Sequence, residues 1–201
     1  MSGPPPRIAA LAAALPPVHD GRRWPRLKRR AAIALVLRER SGGIEVLVMR
    51  RREREGDRWS GDVACPGGFA HRDEPLLECA MRETVEELGL RLDAAALLGQ
   101  LSVRPERPWH RFADFQVAPF VFAAPSGHGP LVLEESEVAS ARWVPLDAMV
   151  KGAPREHFWW WWRVKPLPVP VRVDRVWVDD YDVWGLTLRI LEELAGYLPR
   201  G

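Results

Sequence analysis

Hydrophobic and polar positions along the chain follow two periods, one near 3.6 residues and one near two. Ile8, Leu11 and Leu15 recur at helical spacing in an alanine-rich stretch that ends at Pro16-Pro17. They predict a short amphipathic docking helix, favoured over the export signal that the stretch faintly resembles. After a basic run, residues 31–40 (AAIALVLRER) are apolar and partly β-branched, as a buried strand ending where Arg38 reaches solvent should be. Ser41-Gly42-Gly43 marks a turn, and residues 44–51 (IEVLVMRR) alternate like the returning strand of a hairpin. Residues 53–61 read as a polar loop, and Asp62 to Cys65 as a short strand that Pro66-Gly67-Gly68 breaks.

The clearest helical pattern runs from Pro75 to Leu88. Proline is harmless in its first turn, Asp73 or Glu74 is placed to cap or favour its positive end, and Gly89 can take the left-handed conformation that ends it. Leu77, Ala80, Met81, Thr84 and Leu88 form its predicted inner face. Residues 96–103 and 114–124 read as strands joined by a loop at 104–111, and Pro119 places the second at a sheet edge or on a bulge. Ala141 to Val144 predict a short strand, with Pro145 opening a turn or a helix over Leu146 to Val150. Pro166, Pro168 and Pro170 exclude a regular helix, and residues 183–198 predict a closing amphipathic helix with Leu188, Leu191, and Leu194 or Ala195 inward.

The 201 residues suffice for one domain with extensions, divided as an N-terminal helix and basic linker (1–30) and a domain with its C-terminal helix (31–201). A net charge of +2 leaves no global basic field, so nucleic acid is not the expected partner despite the five arginines and one lysine from Arg22 to Arg30. Cys65 and Cys79 sit in apolar stretches and argue for a reducing, cytoplasmic setting and not a disulfide framework. No run reaches the roughly 18 apolar residues of a membrane span.

The acidic residues change the picture most. Glu83, Glu86 and Glu87 fall on one face of the predicted helix, where like charges repel. Arg82 can pair with Glu86 or Glu78, yet one arginine cannot neutralise three carboxylates. An oxygen-rich set of this kind suits a hard divalent cation, Mg²⁺ first and Mn²⁺ as substitute, which can bridge phosphate oxygens and activate water. The glycine pair just upstream lets a polyphosphate and its metal approach the backbone, and the Gly68 carbonyl could itself be a ligand.

Gly68, Glu74 and the run Arg82-Glu83-Thr84-Val85-Glu86-Glu87-Leu88-Gly89-Leu90 resemble the 23-residue Nudix box, the signature of hydrolases that cleave a nucleoside diphosphate linked to another group. Thr84 departs from it, standing where an aliphatic residue is usual. The resemblance implies an α/β fold, a Nudix-type α/β/α sandwich with a mixed β-sheet, plus short helical extensions at both ends. It implies Gly68, Glu83, Glu86 and Glu87 as metal-binding residues, with the glutamates also catalytic and with Arg82 and Glu74 orienting or supporting them. Glu137 resembles the extra catalytic carboxylate that many members add from outside the box, and a surface glutamate is the competing reading.

Arg52 and the stretch Gly61 to Gly68 are similar to the extended signature of the coenzyme A pyrophosphatase branch, as is the tail Val183-Trp184-Gly185-Leu186-Thr187. The match is partial: Trp59 and Cys65 replace residues usual in that signature, and the box lacks an insertion common there. The resemblance implies a nucleotide pyrophosphate substrate, coenzyme A-like or otherwise bulky, with Arg52, Arg58, Trp59 and Gly67 as substrate contacts. Arg50, Arg51 and Arg54 are further sources of positive charge for the phosphates. ADP-ribose or dinucleotide hydrolysis, RNA-end hydrolysis and a non-catalytic nucleotide-sensing module are the alternatives. Trp159, Trp160, Trp161 and Trp162 cannot all face one way, so a homodimer surface or the packed base of a C-terminal extension is expected ahead of a nucleobase cage.

Overall fold

A computed structural model of the chain describes residues 4–18, 29–41, 43–57, 59–105, 115–147, 154–162 and 169–198. Its elements, in order, are α1 (Pro6–Ala14), β1 (Arg29–Arg40), β2 (Gly43–Arg51), β3 (Val63–Ala64), β4 (Gly67–Phe69) and α2 (Leu76–Leu88). A 3₁₀ turn (Ala94–Ala96) leads into β5 (Leu97–Gln100), β6 (Arg104–Pro105), β7 (Phe115–Ala123) and β8 (Val138–Pro145). Then come β9 (Arg155–Trp162), β10 (Val169–Val178), β11 (Tyr181–Trp184) and α3 (Gly185–Ala195).

The main sheet is mixed. β1 pairs antiparallel with β2 and β4 and parallel with β7, β2 also pairs with β3 and β8, and β7 with β5 and β6. Apolar residues alternate toward two covered faces, which is why β1 and β2 read as almost continuous apolar runs. Ala32, Ala34, Val36, Leu47 and Met49 pack beneath α2 through Leu76, Cys79, Ala80 and Leu88. Leu35, Leu37, Val46 and Val48 pack on the opposite face with Ile8 and Leu11 of α1 and with Leu188, Leu191 and Leu194 of α3. The result is an α/β/α sandwich. A second, three-stranded sheet, β11-β10-β9, stands beside it, joined to it by Val176, Tyr181 and Val183 in the shared core.

Several expectations are corrected by this architecture. β7 is interior to the sheet, not at its edge, flanked by β1 and β5. Pro119 is tolerated because its carbonyl accepts from the Leu101 N–H just past the end of β5 (3.0 Å), a contact that asks no donor of the proline, and the irregular register lies in β5 between Leu97 and Gly99. The Pro66-Gly67-Gly68 break spans only Cys65 and Pro66, after which Gly67–Phe69 pair with Ala31, Ala32 and Ile33. α2 has Pro75 at its N-cap and no side-chain cap there. Glu74 instead accepts from the His71 N–H (2.8 Å) and from Arg82. Its inner face is Leu76, Cys79, Ala80, Thr84, Glu87 and Leu88, with Leu77 and Met81 half-buried at its margin. Gly89 ends it in the left-handed conformation as expected, φ 65°. Thr84 is fully buried without penalty, because its hydroxyl donates to the Ala80 carbonyl one turn back (2.7 Å). Residues 148–150, Arg58 and most of the loop at 104–111 lie outside the described residues.

Candidate active site

Two adjacent glycines bring β4 against α2. Gly67 has φ 150°, and a Cβ there would lie 2.3 Å from the Ala32 carbonyl oxygen and 2.6 Å from the Ile33 Cα. Only glycine fits so close to a neighbouring strand. Its N–H, turned toward α2, donates to Glu87 Oε2 at 2.8 Å. At Gly68 a Cβ would sit 2.5 Å from the Glu83 carboxyl carbon. The spacing of the box thus has a physical cause: each glycine of the strand presses on one carboxylate of the helix. The Gly68 carbonyl accepts a weak S–H contact from the buried Cys79 (3.6 Å), which a stronger ligand would displace at little cost.

Glu87 is 2% exposed. Burial, reinforced by the charges of Glu83 and Glu137, pushes its carboxyl up to about 8 against the opposing Gly67 N–H and Arg51. Glu83 is raised as well, by burial first, with Arg82 opposing. Arg82 is the hub of the cluster. Its guanidinium donates to Glu74 Oε1 (2.8 Å) and Oε2 (3.1 Å) and to Glu86 Oε2 (2.8 Å), and pairs with Glu83 Oε1 (2.9 Å). It holds Glu74 down to about 2. Glu86 is the exposed member of the set.

Glu137 is exposed at the start of β8, with Arg54 3.9 Å from its carboxylate. Its charge raises both Glu83 and Glu87, so it faces the same acidic cluster. Arg52 lies outside the cavity described next. Its backbone N–H donates to the Glu137 carbonyl (2.7 Å) and its side chain to the Glu135 carbonyl (2.8 Å), which fastens the loop that presents Glu137.

A cavity of about 880 Å³ opens beside the glycines, with Gly67 and Gly68 in its wall. Its floor is aromatic: Phe115 makes edge contacts with Trp59 (5.7 Å between centroids) and Phe69 (5.0 Å). Its far wall comes from the second sheet and α3, including Trp160, Trp184 and Leu186, with the rings of Trp160 and Trp184 5.0 Å apart and tilted by 39°. Of the four consecutive tryptophans, Trp159 is exposed and Trp160 turns to this wall. Trp59, Gly67 and Arg51 therefore line the cavity. The sequence left unrecognised Asp62, a half-buried acid in the cavity lining whose carboxyl is pushed up to about 6 by that partial burial. Its signal lay only in its neighbourhood, a lone acid among Val63, Ala64 and Cys65.

The side chains fit a hard divalent cation. The donors available are carboxylate and carbonyl oxygens, and the ionised forms of Glu83 and Glu87 are under-compensated by the groups around them. Among the described residues no three acidic, histidine or cysteine side chains converge on one point. Arg82 accounts for that, since it lies between Glu83 and Glu86, bonded to both.

Comparison with known proteins agrees with this geometry. A family model for the NUDIX domain matches residues 27–166. An uncharacterised Nudix hydrolase NudL of Yersinia enterocolitica is 34% identical over 153 residues, covering 74% of this chain and 72% of that protein. An uncharacterised protein of Schizosaccharomyces pombe is 42% identical over 105 residues, half of this chain and 32% of that longer protein. Among solved structures, the NUDIX domain of Shewanella oneidensis NrtR, determined with ADP ribose, superposes with a TM-score of 0.56 at 14% identity. It covers 90% of this chain and 94% of that domain, a likeness of fold.

Proposed function

This chain belongs to the Nudix hydrolase family, enzymes that act on nucleoside-diphosphate derivatives, and we propose that it hydrolyses the pyrophosphate bond of coenzyme A or a related bulky nucleotide, with Mg²⁺ as cofactor and Mn²⁺ as substitute. The observation that carries this reading is the junction at Gly67 and Gly68. The same two residues fix the carboxylates of α2 and open onto a cavity large enough for the half of a substrate that is not phosphate.

In this reading the Gly68 carbonyl, Glu83, Glu86 and Glu87 would hold the metal, which would supply Lewis-acid charge at the diphosphate and lower the pKa of a water. The chain's own groups do the rest. Arg82 keeps Glu83 and Glu86 in place and offsets their mutual repulsion. The Gly67 N–H fixes the orientation of Glu87. One of the glutamates, Glu137 or a member of the α2 set, takes the proton of the attacking water, and the charge of Glu137 is felt by both Glu83 and Glu87. The water oxygen bonds to one phosphorus, the bridging P–O bond breaks, and its electron pair leaves on the second phosphate. Arg51, Arg58 and Trp59 supply charge and an aromatic surface to the substrate, with Arg52 supporting the Glu137 loop. No helix among the described residues is long and apolar enough to cross a membrane, and a cytoplasmic site of action fits the two free, buried cysteines.

The test is a panel of coenzyme A, ADP-ribose, NADH, dinucleoside polyphosphates and nucleoside triphosphates with Mg²⁺ or Mn²⁺, assayed for phosphate-ester products. Turnover of coenzyme A well above the others is expected, and turnover of none overturns the reading. Glu87→Gln should lower kcat by at least ~100-fold with the fold intact, since the buried carboxylate becomes a neutral, weaker ligand.

A further inference from the structure

We propose that Asp62 is a specificity-determining residue, whose carboxylate accepts a hydrogen bond from an amide N–H on the uncharged arm that the substrate carries beyond its diphosphate. The proposal rests on the pyrophosphatase reading for the placement of the diphosphate at Gly68.

Asp62 lines a cavity whose wall also includes the apolar Ile33, Val63, Cys65, Phe115 and Leu186, and the charged groups that act on it are Arg51, which opposes its protonation, and Asp182 and Asp57, which favour it. Its backbone is pinned from two sides: its N–H donates to the Trp59 carbonyl (3.2 Å), and its carbonyl accepts from the Arg51 N–H (2.9 Å). The Trp184 indole, a donor only, lies in the same cavity wall and acts weakly on the carboxylate in favour of its charged form. Arg51 is the nearby cation, but its Nη2 is committed to Asp57 at 2.9 Å. A carboxylate offers about four lone-pair sites, so most of its acceptor capacity remains.

The other acids of the cavity wall are differently placed. Asp174 bonds His157 Nδ1 (2.6 Å), and Glu192 bonds Arg155. Burial raises the proton affinity of Asp62, the sign of a charge that its surroundings compensate incompletely. A fold gains nothing from that arrangement, whereas a ligand bringing a donor into the cavity does. The like charge beside Asp62 excludes phosphate from this part of the cavity. What remains is a neutral, donor-bearing group, and an arm containing amides fills an aromatic-floored space of this length while presenting N–H groups to one wall. A site built to pair a donor in this way discriminates strongly against ligands that lack it.

The experiment uses the full chain and tryptophan-fluorescence titration without metal, with coenzyme A as the amide-bearing probe and ADP as the probe that ends at the diphosphate. Asp62→Asn should weaken coenzyme A at least tenfold and leave ADP within about twofold, because the carboxamide offers one acceptor and sets an opposing donor beside it. Trp184→Phe, which removes only the indole N–H and keeps a ring in the wall, should weaken coenzyme A by a smaller factor with ADP again unmoved. Equal weakening of both probes marks Asp62 as structural and overturns the proposal. So does unchanged coenzyme A affinity in Asp62→Asn, or failure of the wild-type chain to bind coenzyme A. Hydrolysis of any pyrophosphate by the wild type with Mg²⁺ is scored separately, so a failure of the enzymatic reading is told apart from a failure here.

Discussion

Gly67 and Gly68 are neighbours in sequence, yet replacing each with alanine should fail in a different way. At Gly67 the new Cβ meets backbone: the Ala32 carbonyl at 2.3 Å and Ile33 Cα at 2.6 Å, with φ held at 150°. Backbone strain of about 1–3 kcal/mol adds to overpacking of about 1–3 kcal/mol, so Gly67→Ala should cost roughly 2–6 kcal/mol. For a chain of this size each kcal/mol is worth about 2–4 °C in Tm, which predicts a fall of about 4–24 °C. Activity falls too, because the N–H that holds Glu87 moves with the strand. At Gly68 the Cβ meets the mobile end of a side chain, the Glu83 carboxyl at 2.5 Å. Glu83 can swing away at small energetic cost, but then it leaves the cluster. Gly68→Ala should keep Tm within about 3 °C and lower kcat at least ~100-fold, a loss comparable to removing a metal ligand. Thermal unfolding followed by circular dichroism, run beside a steady-state assay, separates the two. Equal Tm losses in both variants, or a Gly68→Ala enzyme as active as wild type, would refute this account of the box spacing.

Other consequences follow from the same contacts. Asp62 is raised from its ordinary 3.8 to about 6, so the native state binds a proton more tightly than the unfolded chain. That stabilisation is fully present below pH 3.8 and is lost as pH rises through 6. At full burial the gap would be worth about 3 kcal/mol, and solvent access to the cavity reduces it to ~1–2 kcal/mol. Asp62→Asn should therefore raise Tm by a few degrees at pH 7.5 and not at pH 3.5; an identical shift at both, by scanning fluorimetry, would contradict the burial argument. Arg82→Lys should not restore what Arg82→Ala loses, because an ammonium cannot reproduce the forked contacts to Glu74, Glu83 and Glu86. Each should lower kcat at least tenfold, and lysine activity near wild type would show that charge alone suffices. Leu11 of α1 is 0% exposed, so Leu11→Ala should cost about 2–5 kcal/mol. An unchanged melting curve would mean that α1 does not dock on the sheet.

Local patterns in the sequence specify most of the elements, and they fail where tertiary pairing overrides them. α1, the β1–β2 hairpin, α2 and α3 all carry their own period, and Leu188, Leu191 and Leu194 face inward as their spacing demands. Pro119 misleads because a proline's cost depends on which neighbour it faces: its carbonyl side meets Leu101 past the end of β5, a fact of register that no local window contains. Gly67–Phe69 is too short and too glycine-rich to read as a strand, and it forms one because β1 lends it a template. The tryptophan run likewise resolves through its partner, since Trp160 packs in a tilted ring contact against Trp184 of another strand.

The same distinction divides the site. The acidic chemistry is legible because α2 and β4 are close in the chain, so the offsets from Gly68 to Glu83 and from Gly67 to Glu87 record a single packing contact. The cavity proposed to take the substrate is assembled from distant segments: Trp59 and Asp62 from one loop, Phe115 from β7, Trp184 from the end of β11 and Leu186 from the start of α3. The arginine-rich stretch before Gly61 gave a signal of charge with no direction. Folding gives those arginines separate tasks, with Arg50 bonding Asp180, Arg51 lining the cavity, and Arg52 and Arg54 fastening the loop that carries Glu137. A cavity made this way can change its ligand by substitution at any one segment while the carboxylate contacts of the two glycines stay as they are. Exchanges at Trp59, Asp62 or Trp184 should accordingly alter which pyrophosphate is preferred, and exchanges at Gly67 or Gly68 should lower turnover of all of them alike.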